Sequence, residues 1–356
     1  MSDAWYSKEG PENDIVLSTR VRLARNLVNY SFPQKFSDIE SDQVQTLLFD
    51  AFSHLNQPDQ YQALGIKYLE PLGQKILVER GVLPPDQVQS GKGGIVVRTD
   101  GRLSCTVNHI DHLRLSAFMP GLDAVGAWYL ASSIDGCLQE FVQMAASVEF
   151  GYLTTQLSDL GTGMKISFIV HLPSLGALGK TSFLFQDIER NGISVSNCFG
   201  PGKQSGTSLG SFYQISSRTA LGGTEETQRL RISNRVMELV DLERTAMAEV
   251  KEKMPTILKD SVYKAFAYIK YSRFLEFGES VDLISRLKWG LHTGIIRGVT
   301  DCDISGLLYK IQNAHILFVS NSGNFHFEND VQSDEIKIQR LRSLILQEAI
   351  EQVEII

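Results

Sequence analysis

The segment DIVLSTRVRLARNL, residues 14–27, carries arginines at alternate positions of an apolar stretch. Side chains repeat every two residues along a β-strand, so a strand here would place Arg20 and Arg22 on one face of a sheet. The pattern turns helical toward residue 30. Two interpretations stay open: the shared face serves a function, or the basic residues protect an exposed edge strand against pairing.

The sequence around this segment predicts further strands and helices. Short segments rich in β-branched or aromatic residues, bounded by Gly, Asp or Asn, are predicted strands: 94–99, 103–108, 165–171 and 193–198. Two segments between them, 121–149 and 173–190, have apolar residues at helical spacing. This mixture predicts an α+β domain in which helices pack on a largely antiparallel sheet.

The chain becomes mainly helical from Thr224 onward. Thr224 is a candidate N-cap, because acidic residues follow it and apolar residues recur at three- and four-residue steps. Further helices are predicted over 258–277, 280–291, 303–312 and 333–352, with an alternating segment, HILFVS, before the last of them. We therefore expect a sheet domain over residues 1–230 and a helical domain over 231–356, the second suited to dimerisation or partner binding.

Composition argues against several classes of protein. The 356 residues include 34 Lys and Arg against 41 Asp and Glu, a formal charge of −7, which argues against general nucleic-acid binding. No run of 18 apolar residues occurs and the first residues are too polar for a signal peptide, so we expect a cytoplasmic protein without membrane contact. The four cysteines form no CxxC pair and no metal-ligand spacing, which predicts no metal centre.

Three separated segments carry groups suited to a polyphosphate: STRVR at 18–22, DHLR at 111–114 and LGTGMK at 160–165. Arginine binds phosphate oxygens bidentately, and a Gly-Thr-Gly turn lets backbone N–H groups approach an anion. None of the three is a Walker A motif. A further glycine-rich segment, 200–210, is either a mobile loop or a plain surface connection.

Taken in order, these motifs resemble the ATP:guanidino phosphotransferases, and specifically the bacterial protein-arginine kinases. Residues 14–27 are similar to the opening signature of that family, and VNHIDHLRL at 107–115 is similar to its Asn-Glu-Glu-Asp-His-Leu-Arg strand. LSDLGTGMKISFIVHLP at 157–173 and YQISSRTALGGTEE at 213–226 are similar to two later motifs. The resemblance continues through the helical region and so covers essentially the whole chain.

The resemblance implies a phosphagen-kinase-like antiparallel sheet, ATP with Mg²⁺, and transfer of the γ-phosphoryl group to arginine side chains of a protein substrate. It also implies a homodimer formed through the C-terminal helices, with a regulatory protein as the alternative partner. The residues it assigns to ATP binding are Ser18, Thr19, Arg20, Val21, Arg22, Arg114, Lys165, Ile166, Ser167, Phe168 and Ile169.

The chain departs from the family pattern where the chemistry is expected. His109 and Ile110 stand in place of the paired glutamates, which leaves Asp111 and His109 as candidate bases. Lys165 keeps the charge of the phosphate-binding arginine but loses its fork. The reactive cysteine corresponds to Gln156 or its neighbour, and residues 191–217 contain Lys203 but no Arg, Asp or Glu. Of an Arg-Asp-x-x-Arg-Ala element that senses phosphoarginine in the family, only Arg342 is retained.

Two functions therefore stay open. The first is a protein-arginine kinase with a rearranged base. The second is a pseudokinase that binds nucleotide or phosphoarginine and acts as an adaptor or regulator, because groups that act as a unit are lost together. A small-molecule guanidino kinase is disfavoured because STRVR begins at residue 18, which leaves no room for the N-terminal helical domain of those enzymes.

Overall fold

Strand β1, Val16–Arg25, lies inside an eight-stranded antiparallel sheet in a computed structural model, which describes residues 4–202 and 207–356. The strand order is β2-β3-β4-β5-β1-β8-β10-β9. The other strands of this sheet are β2 Tyr61–Gly65, β3 Gly94–Arg98, β4 Leu103–Val107, β5 Leu113–Pro120, β8 Met164–His171, β9 Ile193–Asn197 and β10 Phe212–Ser217. Because β1 pairs with β5 on one side and β8 on the other, the edge-strand interpretation is wrong.

The alternation along β1 divides the sheet into two different faces. Val21 and Leu23 point into a core that they share with Ile166 and Phe168 of β8. Helices α1 Asp38–Ser53, α4 Ala124–Gln139 and α7 Glu225–Lys253 contribute buried side chains to the same core. The opposite face carries Arg20 and Arg22, as the alternation predicted.

A second core holds the C-terminal helices together, with Val262, Ile284 and Leu346 among its buried members. The remaining helices are α2 Pro71–Glu79, α3 Pro85–Ser90, α5 Pro173–Ala177, α6 Thr181–Arg190, α8 Pro255–Tyr271, α9 Phe277–Thr293, α10 Asp301–Lys310, α11 Asn313–Ser322 and α12 Asp334–Ala349. Two small two-stranded sheets complete the fold: the hairpin of β6 Ala146–Ser147 with β7 Gly151–Tyr152, and β11 Ile296–Arg297 paired with the distant β12 Glu354–Ile355. The predicted antiparallel sheet with flanking helices and a helical C-terminal region is confirmed.

Some predicted elements differ from the structure because tertiary contacts override the local pattern. The helix expected over 121–149 ends at Gln139, and the chain then forms the β6–β7 hairpin. The helix expected over 173–190 is interrupted at Gly179, which adopts a φ of +68°. The helical turn expected near residue 30 is absent, because the Leu27 N–H donates to His112 Nδ1 at 2.8 Å instead.

The alternating segment HILFVS lies in helix α11 and not in a strand. Glu79, at the end of α2, accepts hydrogen bonds from the N–H groups of Ala314 (2.7 Å) and His315 (3.3 Å). A carboxylate at this position satisfies donors that the first helical turn leaves free. The helix is therefore fixed by a residue from a distant part of the chain.

Helix α7 runs through the expected domain boundary at residue 230. Its buried residues from Ile232 to Ala246 belong to the core of the sheet, whereas Val250 belongs to the helical core. The division at 230 stays a prediction, and the side-chain packing changes from one core to the other between Ala246 and Val250. Within the described ranges, no helix is long and apolar enough to cross a bilayer.

Glu243 of α7 is a buried carboxylate that contacts the start of α5. It accepts hydrogen bonds from the N–H groups of Ser174 (2.7 Å) and Leu175 (2.9 Å). These bonds favour the charged form, but burial outweighs them and raises the pKa of Glu243 from 4.5 to about 7. The folded protein therefore holds a proton that the unfolded chain releases, and this contribution to stability is lost as the pH rises through 7.

We expect the difference in free energy of unfolding between wild type and Glu243→Gln to depend on pH. Glutamine exchanges no proton, so between pH 4.5 and 7 wild type should lose up to about 1.4 kcal/mol per pH unit relative to the variant. Urea denaturation over a series of pH values measures this difference. If the stability of wild type relative to the variant stays constant or increases with pH, the raised pKa of Glu243 is contradicted.

Candidate functional site

Four cations from three adjacent strands meet on the face of the sheet opposite the core. Arg20 and Arg22 come from β1, Arg114 from β5 and Lys165 from β8. In the strand register, Arg22 lies beside Lys165 and Ala24 lies beside Arg114, so the three strands present their cations on one face at neighbouring positions. We call these four residues the cation cluster. All four belong to the predicted site, and the fold brings them together.

A buried carboxylate, Asp159, holds three members of the cation cluster. Its Oδ2 lies 2.7 Å from Arg114 Nη2 and 3.2 Å from Arg22 Nη2, and its Oδ1 lies 2.5 Å from Lys165 Nζ. Asp159 ends a short 3₁₀ turn, residues 157–159, and Leu160 separates it from the Gly-Thr-Gly segment. Sequence reasoning missed this residue, because nothing in the local pattern marks an aspartate that contacts β1 and β5, which are distant in the chain.

The cation cluster keeps positive charge that no carboxylate of the described residues neutralises and an N–H donor that has no acceptor among them. Arg22 Nε is buried and has no hydrogen-bond partner within the described part of the chain. Burial and the charge of Arg114 lower the pKa of Arg22 to about 10, so this guanidinium remains protonated at neutral pH. Burial also lowers the pKa of Arg20, whose Nε donates to Ser167 Oγ at 3.1 Å. An orphaned donor beside several cations fits an anionic ligand.

A cavity of about 380 Å³ adjoins the cation cluster at Arg20. Aromatic side chains form much of its wall: Trp5 stacks on Phe118 with a centroid distance of 5.7 Å, and Tyr309 meets Trp5 edge-on at 6.0 Å. Arg80 also lines this cavity. The site thus combines a cationic patch for an anion with an aromatic-walled space for an organic group.

The other residues predicted to bind ATP fall into two groups. Ser18, Ser167 and Ile169 line the same cavity as Arg20. The remaining members are buried on the core side of the sheet, where their side chains lie away from the cation cluster: Thr19, Val21, Ile166 and Phe168. The Thr19 hydroxyl, for example, donates to the Gly121 carbonyl at 2.6 Å. These four strengthen the strands that carry the cations.

The two candidate bases differ in how far their polar atoms are occupied: Asp111 is paired throughout, whereas the buried Nδ1 of His109 has no partner in the described part of the chain. Asp111 is fully buried and accepts hydrogen bonds from Arg114 Nε (2.9 Å), Asn26 Nδ2 (2.9 Å) and the Thr155 N–H (2.8 Å). His109 Nε2 lies 2.9 Å from Asp86 Oδ2. The catalytic assignment of Asp111 and His109 therefore stays a prediction, and the geometry shows Asp111 positioning Arg114.

The chemistry of the described residues leaves any divalent cation to the ligand. No group of three or more His, Cys, Asp or Glu side chains in residues 4–202 and 207–356 is arranged to hold a metal ion. Mg²⁺ commonly binds through substrate phosphates and water with few protein carboxylates, so this arrangement fits Mg²⁺ carried by a nucleotide. Cys198 lines the cavity, but burial raises the pKa of its thiol to about 12, which keeps it protonated and unreactive.

The Gly-Thr-Gly turn is held by a buried arginine of β1. Arg25 Nη1 donates to the Thr162 carbonyl at 3.0 Å, and the Ala24 N–H donates to the Gly163 carbonyl at 2.9 Å. Gly163 has a φ of +66°, and a Cβ there would lie 2.5 Å from both Ala24 O and Arg25 Nη1. Only glycine lets the turn approach β1 this closely.

Gly163→Ala is expected to destabilise the protein by about 1–3 kcal/mol more than Gly179→Ala. The two glycines share a positive φ, +66° and +68°, but a Cβ at Gly179 meets open space. The comparison therefore separates steric overlap from backbone strain, and chemical denaturation measures it. If both variants lose the same free energy of unfolding, the close approach of Gly163 to β1 does not contribute to stability.

Two further predicted residues lie away from the cation cluster. Arg342 of α12 is 1% exposed, and its guanidinium donates to the carbonyls of Ile311 (2.9 Å) and Leu275 (2.8 Å) and to the Asn313 side chain. These bonds link the C-terminal helices, and the phosphoarginine-sensing role of Arg342 stays a prediction. Lys203 lies outside the described residues.

Known proteins with similar sequences match most of the chain. The family described as ATP:guanido phosphotransferase, C-terminal catalytic domain, matches residues 43–246, and the family described as Protein-arginine kinase McsB C-terminal domain matches residues 255–354. A protein-arginine kinase of Desulforamulus reducens is 31% identical over 347 residues, 96% of each chain. A protein-arginine kinase of Geobacillus sp. strain WCH70 is 30% identical over 312 residues, 87% of this chain and 85% of that protein.

Solved structures share the architecture of the sheet. Lombricine kinase superposes with a TM-score of 0.57 at 19% identity, covering 70% of this chain and 74% of that one. The duplicated taurocyamine kinase of Schistosoma mansoni gives a TM-score of 0.58 at 20% identity over 70% of this chain, which spans 37% of the length of that protein. At these identities the likeness concerns the fold alone, and it confirms the phosphagen-kinase-like fold expected from the sequence.

Proposed function

Because this chain belongs to the protein-arginine kinase family of ATP:guanido phosphotransferases, we propose that it binds ATP at the cation cluster and transfers the γ-phosphoryl group to arginine side chains of proteins. The observation that carries this proposal is the convergence of Arg20, Arg22, Arg114 and Lys165 on one face of the sheet. Cations in this number match a polyphosphate, and phosphoryl transfer depends mainly on positioning and charge neutralisation.

In this proposal, Arg22, Arg114 and Lys165 bind phosphate oxygens, and Arg20 links the phosphates to the adjoining cavity. Mg²⁺ supplies further neutralisation of phosphate charge when it arrives with the nucleotide. In the transfer, the bond from the γ-phosphorus to the bridging oxygen of ADP breaks, a nitrogen–phosphorus bond forms, and the guanidinium nitrogen releases one proton. In this proposal His109 accepts that proton, because it is a candidate base whose Nδ1 has no partner within the described residues. Removal of the proton is needed because a fully protonated guanidinium is a weak nucleophile.

A second candidate function is a nucleotide-binding adaptor that performs no transfer. The observation in its favour is that Asp111 and Asp159, the carboxylates that contact the cation cluster, already accept hydrogen bonds from its cations. Ile110, beside Asp111, has no group that accepts a proton. Under this alternative the same cations bind ATP, and a protein partner responds to the occupied site.

Incubation with γ-labelled ATP, Mg²⁺ and an arginine-rich protein separates the two functions. Acid-labile phosphoarginine formed by wild type and lost in Arg20→Ala supports the kinase. Saturable ATP binding without label transfer supports the adaptor. Absence of both binding and transfer contradicts the whole proposal.

The proposal includes a cytoplasmic location and a homodimer formed through the C-terminal helices. Helix α8 exposes several large apolar side chains that a partner copy would cover: Ile257, Tyr263, Tyr268 and Tyr271. Exposed apolar groups of this kind on one helix are typical of an association surface. Light scattering of the full chain determines whether it is a dimer in solution.

A further inference from the structure

Asp159 occupies the centre of the cation cluster, where an anionic ligand would lie. Its carboxylate is fully buried and touches Arg22, Arg114 and Lys165 at 2.5–3.2 Å. The two oxygens of a carboxylate present the same bidentate pattern of acceptors as two oxygens of a phosphate. The donors that a polyphosphate requires are thus directed at an internal anion.

The charges of the cation cluster are compensated unequally. Arg114 contacts both Asp159 and Asp111, whereas Arg20 has no carboxylate within 4 Å among the described residues. Arg22 divides its donors: Nη2 contacts Asp159 and Nε has no partner. Four cations and two carboxylates leave two positive charges for a ligand, on the Arg20 and Arg22 side of the cluster.

We propose that Asp159 is an internal counterion that competes with nucleotide phosphates for the cations of the site. It keeps Arg22, Arg114 and Lys165 in place in the free protein, and it sets the affinity for ATP by opposing the entry of further negative charge. This inference rests on the proposed function, because it takes ATP as the ligand of the cation cluster. Asp159 acts through the cations and is a positioning residue.

Two consequences follow from the geometry. A bound polyphosphate must either share donors with Asp159 or displace it, and both arrangements place like charges close together in a buried site. Ligands that contact mainly Arg20 and the unpartnered Nε of Arg22 avoid this repulsion. The site therefore favours binding from the Arg20 side, where the aromatic-walled cavity begins.

The test is to measure the dissociation constants of Mg-ADP and of tripolyphosphate for the full chain with Asp159→Asn. Asparagine keeps one oxygen acceptor for Arg114 and removes the charge. We expect both ligands to bind more tightly than to wild type, by about tenfold or more, with the larger gain for tripolyphosphate because it carries more charge. Asp260→Asn is the matched control, since it makes the same change on the exposed face of α8, where Asp260 pairs with Lys264.

Equal or weaker binding by a folded Asp159→Asn overturns the inference and leaves Asp159 a purely supporting role. If wild type binds the ligands and the variant binds them no more tightly, only this inference is wrong. If neither wild type nor the variant binds them, the proposed function is wrong as well. A second measurement needs no variant. The carboxylate carbon of Asp159, followed by NMR in ¹³C-aspartate-labelled wild type, should shift when Mg-ADP saturates the protein, and an unchanged resonance would contradict competition.

Discussion

Replacing Arg20 by methionine should weaken Mg-ATP binding by about 100-fold without lowering the free energy of unfolding. Arg20 donates only to the Ser167 hydroxyl among the described residues, and burial lowers the pKa of its guanidinium. A partly buried cation without a carboxylate partner costs some stability in the free protein. Methionine fills a similar volume and removes that cost, together with the charge that the phosphates require.

Isothermal titration measures the affinity, and urea denaturation measures the stability of the same preparations. Arg297→Met is the matched control, because Arg297 is exposed and pairs with Glu354 between β11 and β12, outside the eight-stranded sheet. Loss of stability without loss of affinity in Arg20→Met would show that Arg20 serves the fold and not a ligand. Equal affinities in Arg20→Met and the control would exclude Arg20 from the site.

Asp135→Ala is expected to lower the free energy of unfolding by about 3–5 kcal/mol. Arg25 is 1% exposed, and its Nε (3.1 Å) and Nη2 (2.8 Å) both donate to Asp135 Oδ2. The guanidinium also lies over the Tyr152 ring, 3.5 Å from its centroid. Removing the carboxylate leaves the buried Arg25 charge with only neutral partners. This uncompensated charge accounts for most of the expected loss in free energy of unfolding.

The same substitution should loosen the Gly-Thr-Gly turn, because Arg25 also binds the Thr162 carbonyl. Chemical denaturation measures the loss of stability, and hydrogen exchange at Met164 reports on the turn. Asp50→Ala provides the comparison, since Asp50 is exposed beside His54 and should change stability by less than about 1 kcal/mol. A similarly small effect at Asp135 would show that the buried pair contributes little.

Local sequence patterns predicted those parts of the fold that depend on interactions between neighbouring residues in the chain. Alternation along residues 14–27 placed Arg20 and Arg22 on one face, and the sheet confirms this. The N-cap Thr224 begins α7 as expected, and its hydroxyl accepts a hydrogen bond from the Thr227 N–H. These features depend on residues that are close together in the chain.

The features that the sequence did not reveal depend on contacts between distant segments. Asp159 binds Arg22, which is 137 positions away, and Glu79 caps a helix 235 positions later in the chain. Similarity to a family located Arg114 and Lys165, but it did not show that a buried aspartate joins them. Partners of this kind become visible only when the strand register is known.

Arginine side-chain NMR offers the sharpest single test of ATP binding at the cation cluster. When Mg-ATP is titrated into ¹⁵N-arginine-labelled wild type, the Nε resonances of Arg20 and Arg22 should shift saturably, because Arg22 Nε is an unpartnered donor. The Nε resonances of Arg25 and Arg342, which bind protein acceptors away from the cluster, should stay unchanged. Saturation without a shift of Arg20 or Arg22 would place the nucleotide elsewhere and contradict the proposed site.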